Sequence, residues 1–245
     1  MRETLAEIRR KTKDEIQVIL KEFDLDLAYE GDSPEDYQLN WKEKRLKFRD
    51  EIRCVASFVE RNFKEYRFKT PFTWKLMVTC YSDIKNVRKK FIKSEVYEVG
   101  IEFDIDSYFT SKSNVKKQII FNTLTEGVLE IVQEENWDRA PFIDVFSRIE
   151  NQGLQNHYRW GKSVSNSNRS LKASIFCEHE VEVFNIFAII TDKNGNEISK
   201  KLMIVEKPNE WDFHIHLGKI LWISNFEVAL INKDGTIVNT LRVIQ

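Results

Sequence analysis

Asp212, His214 and His216 alternate with Trp211, Phe213, Ile215 and Leu217. Drawn as a strand, this stretch puts the apolar side chains on one face and the acid and two imidazoles on the other. Two imidazoles at that spacing can share a zinc or iron ion, with Asp212 as an oxygen donor. The set is short of a ligand. His179 is the nearest further imidazole, and on its own strand it shares a face with Cys177, Val181 and Val183. A solvated strand face, with no bound metal or other cofactor, is therefore the expectation.

Two other groupings have the residue types for chemistry. Lys85, Arg88, Lys89 and Lys93 fall on one side of a short predicted helix, with Trp41, Trp74 and Tyr81 in the same basic stretch. Cations beside aromatic rings can hold phosphates and stack bases. The same stretch contains Asp83-Ile84-Lys85, half of a nuclease metal pattern, with Asp104 or Asp106 as its other acid. A helix face balanced by neighbouring acids accounts for these residues without a nucleic acid, so nucleic-acid binding is not expected. No glycine-rich phosphate loop, GxSxG elbow or HExxH pair occurs. Cys177 stands among apolar neighbours as a core thiol, so no activated thiol is expected beside Glu178 and His179.

The acids form two rows: Glu98, Glu102, Asp104 and Asp106 along a predicted strand, and Glu126, Glu130 and Glu134 along a predicted helix. Complementary fields guide protein association, which makes these rows the expected contact with a basic partner.

The elements that would carry these groups follow from apolar spacing. Leu5, Ile8, Thr12, Ile16, Ile19 and Phe23 predict a helix over about 3–22. Phe23, Leu25, Leu27 and Tyr29 alternate, as do Tyr37, Leu39 and Trp41, with Gly31 to Pro34 as a turn between two strands. A helix is predicted over Phe48 to Tyr66, a strand over Phe72 to Tyr81, and a short basic helix with Ile84, Val87 and Phe91. A strand should follow over Val99 to Ile105. Ser113 opens a long helix to about Glu135, and Asp138 caps the next. After Leu171 helical spacing is absent. Asp192-Lys193-Asn194-Gly195 and Asn232-Lys233-Asp234-Gly235 suit tight hairpins there.

The predicted class is α+β. A mixed domain should span 1–152, a linker or long loop 153–170, and an antiparallel sandwich-like domain of about six strands 171–245. Formal charge is near zero, at −1. That sum conceals a division: six cations meet eleven acids in 1–40, sixteen meet seven in 41–95, and five meet eleven in 96–152. Cys54, Cys80 and Cys177 are isolated among apolar neighbours and read as core thiols. The charged opening Met1 to Glu7 lacks the apolar run of a signal peptide or membrane span, so no membrane is expected and the location expected is cytoplasmic. Residues with AT-rich codons (Lys, Asn, Ile, Phe) are frequent and suggest a bacterial source. The function expected is a non-enzymatic protein-binding module, such as a toxin-immunity protein or an accessory subunit of a defence complex, with another protein as partner. The alternatives are a metal-dependent enzyme at His214/His216 and a nucleic-acid-binding protein using 41–95.

Overall fold

The computed structural model describes residues 17–86 and 91–243, without the side chains of residues 84 and 91–93. The chain divides into two compact units, 1–154 and 155–245.

The first unit is built on strands β1 (Val18–Ile19), β2 (Glu22–Leu27), β3 (Lys69–Thr70), β4 (Lys75–Tyr81), β5 (Phe91–Lys93) and β6 (Val96–Glu102). Its main sheet runs β2-β4-β6-β5, with β2, β4 and β6 parallel and β5 antiparallel to β6. A parallel pair needs a long crossover. Between β2 and β4 this is supplied by α1 (Pro34–Asp36), a π-helical turn over Tyr37–Trp41, α2 (Lys42–Glu51) and α3 (Arg53–Phe63). After β6 come α4 (Ile105–Thr110), α5 (Ser113–Glu134) and α6 (Ala140–Asn151).

Strand alternation gives this sheet two unlike faces. Phe23, Leu25, Leu76, Val78, Cys80, Tyr97 and Val99 are all buried on one. On the other stand Asp24 and Asp26, Lys75, Met77 and Thr79, and Glu98 and Glu102, in register across the strands. Helix α5 lies on the apolar face. A Cβ added at Gly127 would come within 2.5 Å of Val78 Cγ2 and 3.1 Å of Val99 Cγ1, so the glycine allows that approach. An aromatic cluster ties α3 and α6 to the sheet: the Phe63 ring centroid lies 5.0 Å from Phe23 and 4.7 Å from Phe142. Full burial of each such ring contributes about 2–3 kcal/mol.

One polar group lies deep in this unit. Lys116 Nζ donates to Glu51 Oε1 at 2.8 Å and to Oε2 at 2.9 Å, and Tyr108 donates its hydroxyl to Oε2 at 2.8 Å. Glu51, Lys116 and Tyr108 are each at most 3 % exposed.

Several local expectations are corrected. The predicted first helix lies outside the described residues as far as Ile16, and its end is not helical: Val18–Ile19 and Glu22–Leu27 are strands. The 3/4 spacing of Ile16, Ile19 and Phe23 coincides with the start of an alternating strand whose Phe23 and Leu25 are fully buried. The second arm of the predicted hairpin is helical. Ser33 caps it, its side chain accepting from Asp36 N at 3.1 Å, with Pro34 in the first turn. Of the predicted short basic helix, Ile84–Asn86 is a 3-10 turn, residues 87–90 lie outside the described residues, and Phe91–Lys93 forms β5 against β6.

Among its described residues the second unit has seven strands: β7 (Asn156–Ser165), β8 (Leu171–His179), β9 (Phe184–Asp192), β10 (Glu197–Glu206), β11 (Lys219–Ser224), β12 (Glu227–Ile231) and β13 (Ile237–Arg242). They form two antiparallel sheets, β10-β9-β8-β7 and β11-β12-β13. Ile175, Phe184 and Ile186 of the first share one core with Ile220, Val228, Leu230 and Leu241 of the second. That shared core is the sandwich expected from the sequence. Both turns expected to be tight have a left-handed glycine, with φ +89° at Gly195 and +91° at Gly235. The segment read as a linker, 153–170, is largely β7, whose Tyr158 and Trp160 pack against the same core. Arg159, Lys162, Ser163 and Ser165 of this edge strand are exposed, which hides the strand from composition. The predicted 211–217 strand is helical, as α7 (Glu210–Phe213) followed by a 3-10 turn over His214–His216.

Candidate functional site

The cap at Asn209 decides the conformation of the histidine segment. Its side chain accepts from Asp212 N at 3.1 Å, and the helix buries Phe213 and Leu217, four residues apart, leaving Trp211 95 % exposed. Asp212, His214 and His216 consequently do not share a face as strand neighbours would. Asp212 Oδ2 accepts from Asn209 Nδ2 at 2.6 Å, the His214 ring meets Lys233, and His216 Nδ1 lies 2.9 Å from Asn232 Oδ1. His179 is 1 % exposed and donates from Nε2 to the Pro208 carbonyl at 2.6 Å, a bond that fixes its tautomer because a carbonyl only accepts. Among the described residues no group of three or more His, Cys, Asp or Glu is placed to hold a metal ion.

The described members of the basic set stand on different elements. Lys85 is exposed in its 3-10 turn, Lys93 belongs to β5, and Arg88 and Lys89 lie outside the described residues. Asp83 accepts from Lys85 N at 2.9 Å through Oδ1, a turn contact rather than half of a metal site.

The two acidic rows lie on opposite sides of the sheet. Glu98 and Glu102 point to the polar face, whereas Glu126, Glu130 and Glu134 stand exposed on α5, which packs on the apolar face. The first row is also engaged locally. Glu98 accepts from the Thr79 hydroxyl at 2.7 Å, Asp104 caps α4 by accepting from Ser107 N at 2.9 Å, and Asp106 pairs with Lys44 at 3.0 Å.

The α5 row has a different character. Lys116 and Lys117 are the helix's basic residues, and both are buried, so its exposed side carries the helix's acids without its lysines; Glu134 also accepts from the Tyr97 hydroxyl at 3.4 Å. Positions 126, 130 and 134 follow at the four-residue spacing that sets like charges side by side, which costs about 0.2–0.5 kcal/mol per pair. Glu134 also closes the helix, where the negative end of the dipole disfavours an acid. Neither effect helps the helix form.

The polar face of the sheet holds the feature that sequence reasoning missed, a cleft of about 760 Å³ at the C-terminal ends of β2 and β4. Open parallel sheets take ligands at such strand ends. The floor is Asp26, Met77, Thr79 and Glu98, and the walls include Tyr29, Glu30, Tyr37 and Arg45. Arg45 donates from Nε to Asp26 Oδ1 at 2.7 Å, makes a second bond to Oδ2, and reaches the Tyr37 hydroxyl at 3.0 Å. Burial tends to raise the Glu30 carboxyl, but donors from Ser82, Asn86 and Asp83 outweigh it and hold the group below its ordinary value. The alternating Asp24 and Asp26 were the available signal: acids within a buried parallel strand require a polar face opposite the core.

No protein-family model, curated protein or solved structure matches this chain.

Proposed function

We propose that this protein is a non-enzymatic protein-binding module of a bacterial cytoplasmic system, of the toxin-immunity or defence-accessory kind, and that it receives a basic partner on the exposed side of α5. The observation that carries this reading is the charge distribution of that helix. Its lysines are buried while Glu126, Glu130 and Glu134 are exposed in a row that works against the helix's own stability. A 22-residue helix anchored through Ile120, Leu124, Val128 and Ile131 presents that row on a rigid support. Rim charges of this kind act mainly on association rate and partner choice.

The test is the triple variant Glu126→Gln, Glu130→Gln, Glu134→Gln. Gln and Glu have similar helix propensity, so the fold should be retained, with stability raised by up to about 1 kcal/mol as two repulsive pairs disappear. Basic proteins captured from the source cell by the wild type should be lost by the variant and released by salt. Capture that is unchanged in the variant refutes the proposal.

A further inference from the structure

We propose that the cleft on the polar face of the first sheet is a binding site for a neutral ligand bearing vicinal hydroxyls. Its size lies within the range of small-molecule sites, about 300–1,000 Å³. Its polar side chains are held before any ligand arrives. Arg45 is fixed between Asp26 and Tyr37, and the Tyr29 hydroxyl is fixed by Ser33 O at 2.6 Å and Asp36 Oδ2 at 2.8 Å. Asn86 Nδ2 is held by Glu30 Oε1 at 2.8 Å, and Thr79 by Glu98. Such preorganisation reduces the ordering cost of binding.

Charge selects the class of ligand. Asp26, Glu30 and Glu98 face Arg45 and Lys85, so the lining carries one net negative charge. The loop and helix start after β2, where a phosphate would sit in other parallel-sheet sites, carry Glu30, Asp32, Glu35 and Asp36. A phosphate is repelled there.

The mixture of polar groups separates a neutral ligand from a cation. A lone ammonium ligand has donors only and would need acceptors alone. Here the Asp26 and Glu98 carboxylates stand beside the donors Arg45 and Asn86 and the hydroxyls of Thr79 and Tyr37. A hydroxyl both donates and accepts, so adjacent hydroxyls can use such a mixed set together. Tyr29 and Tyr37 pack edge to face with centroids 5.2 Å apart, giving the site an aromatic wall for a ring. Free sugars and the ribose of a nucleoside share this diol chemistry.

Ligand-observed NMR and calorimetry on the full chain separate the two sources, with D-glucose and maltose in one arm and adenosine and uridine in the other. Adenosine 5′-phosphate serves as the charged control. Binding is expected in one arm, weakened at least tenfold by Glu98→Gln and abolished by Met77→Trp, which fills the floor; the phosphate should bind less well than its nucleoside. Both variants are compared with the wild type by circular dichroism, and the control Gln118→Ala, exposed on α5 at the apolar face of the sheet, should bind as the wild type does. Failure of all four diols, equal binding by correctly folded Glu98→Gln and Met77→Trp, or tighter binding of the phosphate would overturn the proposal.

Discussion

Replacing Lys116 by Met should be among the most damaging single changes in the first unit. Lys116 is 3 % exposed and supplies two of the hydrogen bonds to Glu51, at 2.8 and 2.9 Å. Without it the Glu51 carboxylate keeps the Tyr108 hydroxyl at 2.8 Å and Lys47 at 3.8 Å, too little for a buried charge. Breaking a buried pair from one side costs about 3–5 kcal/mol, which in a unit of this size lowers melting on the order of 10 °C. The Lys116 Nζ also lies 5.1 Å from the Tyr108 ring centroid, and that attraction goes with it. Replacing the whole group by Glu51→Leu, Tyr108→Phe and Lys116→Met removes the stranded charge, and most of the stability should return. Two units in one chain make a single melting curve ambiguous, so hydrogen exchange of the α5 amides is the appropriate measurement. A loss below about 1 kcal/mol for Lys116→Met would refute the reasoning, as would a triple variant no more stable than the single one.

Two further outcomes follow from local geometry. The Glu30 carboxyl is held below its ordinary value of 4.5, so its contribution is complete above that pH and is lost as pH falls through the lower folded value; exchange of the Ser82 and Asp83 amides should rise with acid, and Glu30→Gln should flatten that response. Gly195→Ala meets no atom within 4 Å, so its cost should come from the backbone at φ +89° alone, about 1 kcal/mol by urea denaturation of the second unit, and a neutral result would contradict that cause.

Long regular elements were legible in the sequence, and local chemistry was not. Ser113 to about Glu135 and the helix after Asp138 were readable because their apolar stripes run for several turns; they appear as Ser113–Glu134 and Ala140–Asn151. Both hairpin glycines were readable because positive φ restricts the residue type. The histidine segment was misread because Trp211-Asp212-Phe213-His214 alternates perfectly, yet Asn209 supplies a cap and a four-residue spacing suffices to bury Phe213 and Leu217. Ser33-Pro34-Glu35-Asp36 contains a cap, a first-turn proline and two acids, a stronger signal than the alternation of Tyr37, Leu39 and Trp41. The cleft was out of reach because its members come from residues 26 to 98 and meet only through parallel pairing, which no local pattern records.

The pairing order of the strands also sets when each unit can form. In the second unit every hydrogen-bonded neighbour is also a sequence neighbour within its sheet, so each pairing closes a short loop. The first unit must bring β4 to β2 before its sheet exists, and the bond from Lys75 to Asp24 spans 51 positions. Long closures are entropically costly and slow. The second unit, with its short closures, therefore folds faster than the first. Within the first unit β2 precedes its partner β4 by about fifty positions and stays unpaired until that closure, so the vulnerable interval for proteolysis and misassembly falls there.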